Sequence, residues 1–182
     1  AGRAAPGRSA HAAPLTRPTP RPTHPPVQRE VEVVGVRPVN AYVELTLAAP
    51  EIAERAEPGQ FLAFAIGGEA SALLLRRSIA IAGADDGVVS VVVAAHGPGS
   101  TWLAGRRQGD VVDVVGPLGR PFPPAPDGAR ALLVGGGYGA AALVGLAAQL
   151  RADGHEVAAV AGAASADRLC SVEQLSALAD PV

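Results

Sequence analysis

The chain has 182 residues, of which 48% are hydrophobic and 18% are charged, the composition of a folded globular protein. Its formal net charge of −2 gives no reason to expect nucleic acid as a partner. No apolar run is long enough to cross a bilayer, so we expect no membrane partner. We also expect a cytoplasmic location. The single cysteine excludes a disulfide framework and any multi-cysteine metal or iron–sulfur site within the chain.

The first 28 residues differ in composition from the rest of the chain. They contain seven prolines and four arginines, no acidic residue and almost no large apolar side chain. Such a segment cannot bury enough apolar surface to offset the entropy that it loses on ordering. Residues 1–28 are therefore predicted to form a disordered tail.

Residues 29–124 alternate between apolar and polar side chains in the way that is typical of short strands. Turn sequences such as Pro58-Gly59 and Asp85-Asp86-Gly87 separate the apolar runs. The pattern predicts one short helix at residues 100–107 and six strands, at residues 31–36, 42–47, 60–66, 73–81, 88–95 and 111–115. Six short strands joined by frequent turns indicate a small antiparallel barrel or sandwich.

A proline-rich segment at residues 121–126 separates this region from a second one, residues 125–182. A largely apolar strand is predicted at residues 129–134, as expected when both faces of a parallel sheet are covered. A glycine-rich turn, a helix at 140–151, a strand at 157–161 and a partial helix at 172–178 follow. One βαβ unit is too small for a doubly wound sheet. The predicted fold class is therefore an antiparallel barrel followed by an incomplete parallel α/β lobe.

The glycine cluster at residues 135–139 is the first candidate binding feature. It follows a predicted buried strand and precedes a predicted helix, where glycines let backbone N–H groups approach a pyrophosphate. Its spacing, G-G-G-x-G, differs from the G-x-G-x-x-G of the common dinucleotide fold, and no acidic residue ends the second strand. A tight turn that binds nothing is the alternative interpretation.

Two further segments could bind an anion. Arg76 and Arg77 lie in a predicted apolar strand, where a guanidinium is costly unless it meets an anion or reaches water from an edge strand. Ser100 or Thr101 could cap the short helix, and the same turn offers backbone N–H groups to a phosphate. His96, just before this turn, is interpreted as an exposed side chain, with cofactor contact as the alternative.

Four motifs occur together in an order that matches a known family. They are LLRRSIAI at residues 74–81, GPGSTWL at 97–103, GPLGRPF at 116–122 and LVGGGYG at 133–139. With them, residues 30–170 resemble the ferredoxin–NADP reductase superfamily, and within it most closely the electron-transfer subunits of NAD-dependent dihydroorotate dehydrogenases. The resemblance implies a flavin-binding barrel at residues 29–124 and a nicotinamide-binding lobe at residues 125–182.

The resemblance also implies which residues hold FAD. The family's R-P-I-S segment, with its arginine on the diphosphate and its serine near the isoalloxazine ring, matches Arg77, Ser78, Ile79 and Ala80. The family's G-T pair, which binds the diphosphate through backbone N–H groups, matches Gly99 and Ser100. The strand that contacts the cofactor through its backbone matches Val92, Val93 and Ala94.

The NAD site is implied in the same way. The glycines expected to approach the NAD diphosphate are Gly135, Gly136, Gly137 and Gly139, and Gly162 lies at the end of the next strand. The pattern contains no nucleophile–base set and no pair of carboxylates, so neither a catalytic side chain nor a metal ligand is assigned.

The chain departs from the family pattern at several positions. Ser78 and Ala80 replace the family's proline and serine, and the second change removes a hydroxyl that could bond the flavin. Ala142 stands where the family usually has proline. The four cysteines that ligate a [2Fe–2S] cluster in the family's C-terminal portion have no counterpart, and Cys170 is interpreted as a small, inert apolar residue.

The resemblance implies an electron-transfer flavoprotein subunit that passes electrons between an iron–sulfur centre and NAD through FAD. Its expected partner is a catalytic flavoprotein dehydrogenase subunit that oxidises dihydroorotate in pyrimidine biosynthesis. A reductase subunit of a hydrogenase or of a ferredoxin transhydrogenase is one alternative. The other is a non-catalytic remnant that binds flavin or nothing.

Overall fold

Six antiparallel strands close into a barrel in the computed structural model, which describes residues 25–68 and 71–180. The strands are β1 (Val27–Val39), β2 (Tyr42–Ala48), β3 (Phe61–Phe64), β4 (Arg77–Asp85), β5 (Val88–Val93) and β6 (Val111–Leu118). Their order around the barrel is β1-β2-β5-β4-β3-β6. Two short helices, α1 (Pro50–Ala53) and α2 (Pro98–Ala104), lie between strands. The prediction of six antiparallel strands is confirmed, and the sheet is a barrel rather than a sandwich.

The barrel is filled by the apolar side chains of alternating strand residues. Leu45 and Leu47 of β2 point inward, as do Val89, Val91 and Val93 of β5, and all five are fully buried. Side chains that alternate with these face outward. The barrel therefore has its own hydrophobic core, whose burial is the main favourable contribution to folding.

Strand β1 begins earlier than the sequence predicted. Val27 and Gln28, which the predicted tail included, lie in β1, and Val27 pairs with Gly116. The reason is that β6 continues far enough to offer a pairing partner there, and Val27 also packs against the barrel core. Residues 25 and 26 belong to no strand or helix, and residues 1–24 of the predicted tail lie outside the described residues.

Strand β4 begins later than predicted, at Arg77 rather than at residue 73. Its neighbour β3 ends at Phe64, which pairs with Arg77, so the residues before Arg77 have no β3 residue beside them. Leu74 and Leu75 are 89% and 76% exposed as a result. The apolar run at residues 73–76 is therefore not a strand.

The second region is the predicted βαβ unit. It consists of β7 (Arg130–Gly136), a 3-10 turn (Gly137–Ala141), α3 (Ala142–Ala152), β8 (Glu156–Gly162), a short 3-10 turn (Ala166–Arg168) and α4 (Val172–Leu178). Strands β7 and β8 pair in parallel from Arg130↔Glu156 to Gly136↔Gly162. Helix α3 starts two residues later than predicted, because residues 137–141 form the 3-10 turn.

Only one face of this two-stranded sheet is covered in the described part of the chain. Helices α3 and α4 pack on the face that carries Leu133 and Val157. On the other face Leu132, Val134 and Val160 are 65%, 67% and 53% exposed. The expectation that β7 is covered on both faces is wrong here, because the described helices supply a single layer. None of the described helices is long and apolar enough to span a membrane.

The barrel and the α/β lobe meet along one side of β4 and β5. Outward-facing Ala82 of β4 and Val92 of β5 pack with Ala141 and Cys170 of the lobe. The β1–β2 turn adds three hydrogen bonds to the segment after β8: Ala41 N to Asp167 O (2.9 Å), Asn40 Nδ2 to Leu169 O (2.8 Å) and Tyr42 Oη to Arg168 O (3.1 Å). These contacts define the boundary at which the candidate site lies.

Candidate functional site

A cleft of about 280 Å³ opens at this boundary. Strands β4 and β5 and the start of α2 form its barrel wall, and the 3-10 turn and α3 form its lobe wall. Its volume is near the lower end of the range for small-molecule sites. The cleft is lined by Arg77, Ser78, Ile79, Ala80, Val92, Ala94, His96, Ser100, Tyr138, Gly139, Ala141 and Ala142. Eight of these residues were predicted from the sequence to bind a cofactor.

Strands β4 and β5 separate along the cleft. Their ladder pairs residues from Asp85↔Val88 to Ile81↔Val91 and pairs none of residues 77–80 with residues 92–94. Backbone N–H and C=O groups at a sheet edge require a partner when water is excluded from them. In the described part of the chain, these facing edges therefore offer backbone donors and acceptors to a bound molecule.

Because side chains alternate along β4 and β5, the small side chains that line the cleft come from every second residue. Ser78 and Ala80 are exposed, whereas Ile79 between them also packs against the barrel core. On β5, Val92 and Ala94 line the cleft, but the side chain of Val93 is fully buried inside the barrel. Val93 can therefore reach a cofactor only through its backbone.

The two neighbouring arginines have different roles. Arg76 forms a bidentate pair with Asp113 of β6, with Nη1–Oδ1 and Nη2–Oδ2 distances of 3.1 and 2.8 Å, and also donates to the carbonyl oxygen of Ala63. The hydrogen bonds from Arg76 hold the pKa of the Asp113 carboxyl below its usual value. Arg76 is thus a structural residue that joins the start of β4 to β6.

Arg77 faces the cleft and has no carboxylate partner among the described residues; its Nη1 donates to the carbonyl oxygen of Leu75. Its side chain lies directly against Gly99. A Cβ atom added to Gly99 would lie 2.6 Å from Arg77 Nε, so any larger residue there would displace the Arg77 side chain. The guanidinium therefore lies beside the first turn of α2, and no carboxylate of residues 25–68 or 71–180 pairs with it.

The turn before α2 corrects one part of the sequence interpretation. Gly97 is the N-cap, so neither Ser100 nor Thr101 caps the helix in that position. The Ser100 hydroxyl instead accepts hydrogen bonds from the N–H groups of His96 (3.0 Å) and Gly97 (3.1 Å). The N–H groups of Gly99 and Ser100 have no intrahelical partner, because they belong to the first turn of the helix.

The glycines of the lobe fall into two groups. Gly135 is buried, and a Cβ atom there would lie 2.7 Å from Ala140 Cα, so this glycine allows β7 to pack closely on the following turn. Gly136 and Gly162 are exposed neighbours at the carboxyl ends of β7 and β8, with open space around them. Gly139 is also open and lines the cleft. Parallel sheets usually bind ligands beyond the carboxyl ends of their strands.

Two aromatic side chains in the cleft were not assigned to the site from the sequence. Tyr138 lines the cleft, and His96, which the sequence analysis interpreted as an exposed side chain, is exposed and also lines it. Their rings are 5.8 Å apart between centroids. The signal that could have revealed Tyr138 is its large aromatic ring within a run of glycines. No group of three metal-ligating side chains occurs among the described residues.

The chain is similar in sequence to curated proteins that share one name. No protein-family model matches the chain. Over 123 residues, it is 42% identical to the electron transfer subunit of dihydroorotate dehydrogenase B (NAD(+)) from Bacillus caldolyticus, a match that covers 65% of this chain and 48% of the relative. The subunit of the same name from Bacillus cereus strain Q1 is 39% identical over 141 residues, 75% of this chain and 54% of the relative. The chain spans about half the length of the curated relatives it matches.

Solved structures show the same architecture. The structure of an NADH-dependent reduced ferredoxin–NADP oxidoreductase is 28% identical and matches with a TM-score of 0.73, over 82% of this chain and 54% of the other. The FAD/NAD-binding domain of a nitric oxide dioxygenase from Vibrio cholerae is 19% identical and has a TM-score of 0.72, over 82% and 68% of the two chains. The second match shows the fold alone. Together the comparisons confirm the predicted resemblance and the predicted fold class, a barrel followed by an α/β lobe.

Proposed function

Because the chain belongs to the ferredoxin–NADP reductase superfamily, we propose that it binds FAD in the cleft and transfers electrons between FAD and NAD. The observation that carries this proposal is the separation of β4 from β5, which exposes unpaired backbone groups directly beside Arg77. A flavin accepts a hydride from a nicotinamide and releases electrons singly, so the cofactor supplies the redox chemistry. The protein binds and orients it.

The diphosphate of FAD would be held at the barrel wall. Arg77 supplies the positive charge, and the N–H groups of Gly99 and Ser100 supply hydrogen bonds. Arginine binds phosphate through two parallel N–H bonds, which fixes position as well as charge. The close contact of Gly99 with Arg77 holds the guanidinium and these N–H groups on the same side of the cleft.

The flavin ring would lie where β4 and β5 separate. Ser78 and Ala80 present small side chains, Ile79 completes the strand, and Val92, Val93 and Ala94 offer backbone groups from the facing edge. Ala80 has no hydroxyl, so hydrogen bonds to the ring on this side come from the backbone and from Ser78. These residues position the ring and exclude water from one side of it.

NAD would bind at the lobe. Gly136, Gly139 and Gly162 leave the carboxyl ends of β7 and β8 open, so a dinucleotide backbone could approach the sheet closely. Gly137 supplies the turn there with its positive φ of 52°. Gly135 supports the same site from behind, by allowing the turn to pack on β7.

A titration of the chain with FAD tests the cofactor site. After desalting, the folded wild-type chain should retain a visible flavin absorption band, and Arg77→Ala should weaken FAD binding by about 10- to 100-fold. Arg107→Ala is a matched control, because Arg107 is exposed and does not line the cleft. Circular dichroism establishes that each variant is folded. A folded wild-type chain that retains no flavin would falsify the assignment.

The whole complex is a further part of the proposal. The names of the curated relatives support a role as the electron transfer subunit of a dihydroorotate dehydrogenase, an enzyme of pyrimidine biosynthesis. We propose that its partner is a catalytic flavoprotein subunit and that the complex acts in the cytoplasm. The one cysteine of this chain cannot by itself ligate a [2Fe–2S] cluster, so in the proposed complex other cysteines would supply that centre. Dihydroorotate should then reduce the FAD of this chain only when both the catalytic subunit and the cluster are present.

A ferredoxin transhydrogenase subunit is the second candidate, because an NADH-dependent reduced ferredoxin–NADP oxidoreductase is 28% identical to this chain. The two functions differ in the donor that reduces the bound flavin. Reduction by ferredoxin and not by dihydroorotate with its catalytic subunit would favour the transhydrogenase. A chain that binds FAD but is not reduced by NADH or NADPH would be a non-catalytic flavin-binding protein.

A further inference from the structure

Both tyrosines of the chain lie at the boundary between the barrel and the lobe. The ring of Tyr138 contacts that of Tyr42 edge-on, with 5.6 Å between centroids and an interplanar angle of 71°. On the barrel side, His96 lies 5.8 Å from Tyr138 at an angle of 49°. Phe, Trp and Tyr make up only 3% of the sequence, so the meeting of two of them beside His96 at this boundary is a marked concentration.

The position of Tyr138 is fixed by the turn that carries it. Gly137 has a φ of 52°, and a Cβ atom there would lie 3.1 Å from the Tyr42 hydroxyl oxygen, so the backbone passes close to Tyr42. Tyr42 is held in turn, because its hydroxyl donates to the carbonyl oxygen of Arg168 at 3.1 Å. Tyr138 is nevertheless 47% exposed and lines the cleft. A positioned aromatic ring therefore presents free surface to the cleft.

The rest of the cleft suggests what this ring meets. The barrel wall opposite the lobe carries the small side chains of Ser78 and Ala80, which leave room for a flat molecule. Gly136 and Gly162, at the ends of β7 and β8, do not line this cleft. Gly139 is the one glycine of the proposed NAD site that lines the cleft, so Tyr138 shares the cleft mainly with residues proposed for the flavin ring.

We infer that Tyr138 stacks on the isoalloxazine ring of FAD and completes, from the lobe, a flavin site that the barrel alone would leave open. This inference rests on the proposed function. An electron-rich phenol ring and an electron-poor flavin ring attract each other when offset and stacked. The same contact quenches flavin fluorescence, because the phenol donates an electron to the excited flavin.

Fluorescence of the bound flavin tests this inference separately from activity. Bound FAD should be strongly quenched in the wild-type chain. Tyr138→Leu should raise its fluorescence at least about threefold and weaken FAD binding about three- to tenfold, the range expected for the loss of one aromatic contact. Tyr138→Phe keeps the ring without the hydroxyl, so FAD affinity should stay within about twofold while quenching decreases.

Trp102→Phe is the matched control. Trp102 lies in α2, contacts Arg106 and does not line the cleft, so replacing it should leave the fluorescence of bound FAD unchanged. Circular dichroism verifies that each variant is folded. Because Tyr138 is exposed on a turn, we expect its variants to fold.

The possible outcomes separate the two proposals. If Tyr138→Leu binds FAD with wild-type fluorescence, the stacking inference is wrong, whereas FAD binding that depends on Arg77 still stands. If Tyr138→Leu changes only the KM for NADH, Tyr138 contacts the nicotinamide and the inference is again overturned. If the folded wild-type chain binds no FAD, both the proposed function and this inference fail.

Discussion

The barrel and the α/β lobe are stabilised in different ways. Each strand of the barrel has a partner on both sides, and its inward side chains form a continuous buried core. The described lobe has two strands, and one face of their sheet exposes Leu132, Val134 and Val160. The barrel therefore contains most of its stabilising contacts within itself, whereas the lobe depends on the surface against which it packs.

This difference matters for the candidate site, which takes one wall from each region. The barrel wall is positioned by strand pairing and by the Arg76–Asp113 pair. The lobe wall is positioned by a small apolar cluster that includes Ala82 and Ala141, and by the three hydrogen bonds from the β1–β2 turn. Substitutions that destabilise only one region should therefore also show whether cofactor binding depends on the barrel wall or on the lobe wall.

The largest expected effect comes from the barrel core. Phe64 is the largest fully buried side chain, and Phe64→Ala should lower the free energy of unfolding by about 3–5 kcal/mol. Trp102 fluorescence reports on the barrel, and far-UV circular dichroism reports mainly on the helices, of which α3 and α4 lie in the lobe. Because the lobe packs on the barrel, both signals should move to lower urea concentration together. Loss of the fluorescence transition alone would contradict this dependence.

A matched truncation in the lobe should act more locally. Leu150 of α3 is buried against β7 and β8, and Leu150→Ala should cost about 2–5 kcal/mol. The circular dichroism transition should move to lower urea, while the Trp102 transition stays close to that of the wild-type chain. Leu132→Ala is the control, because its exposed side chain should change stability by less than about 0.5 kcal/mol. Equal shifts of both signals would show that the two regions unfold as one unit.

The contact between the regions should have a smaller effect. Tyr42→Phe removes the hydrogen bond to the Arg168 carbonyl and should cost about 0.5–1.5 kcal/mol. The circular dichroism and fluorescence transitions should also move further apart, because the barrel then holds the lobe with one contact fewer. Tyr138→Phe is a suitable comparison, since the Tyr138 hydroxyl has no hydrogen bond among the described residues, and it should cost less. A larger loss for Tyr138→Phe than for Tyr42→Phe would refute this account.

Sequence patterns were sufficient for the barrel because alternation follows directly from strand geometry. The same reasoning could not separate Arg76 from Arg77. Both are arginines in one apolar run, and their roles depend on where β3 ends and on the position of Asp113, more than thirty residues later. Nor could the sequence pattern reveal that one face of β7 is exposed, because Leu132 and Val134 are as apolar as the residues of a covered strand. Information about distant partners, not about local pattern, was missing.

The candidate site shows the same limit. Ser78, Ala80, Val92 and Gly139 were predicted through the family resemblance, and the structure brings them to one cleft. Tyr138 was not predicted because the glycines on either side of it were interpreted as the binding feature. In addition, its ring is placed by Tyr42, nearly one hundred residues earlier. Aromatic contacts across a domain boundary leave no periodic signal in a sequence.

The smallest expected effect is on acid stability, and it again compares the two regions. Asp113 in the barrel has a lowered pKa because Arg76 donates hydrogen bonds to its carboxylate. Asp180 in the lobe has a lowered pKa because the N–H of Val157 and then the side chain of Arg151 bond to it. A carboxyl whose pKa is lower in the folded chain stabilises the fold above its unfolded pKa, about 4, and loses this contribution as the pH falls through the folded pKa.

Asparagine replaces each carboxyl by an amide of the same shape. Each replacement should therefore reduce the loss of stability in acid for only one of the two regions. Asp113→Asn should make the Trp102 transition less sensitive to pH below about 4, and Asp180→Asn should do the same for the circular dichroism transition. Both effects should be modest, since exposed ion pairs contribute little. The measurement is the urea midpoint of each signal as a function of pH. If Asp180→Asn changed the fluorescence signal as much as Asp113→Asn does, acid would act on the chain as a whole, and the independence of the barrel would be lost.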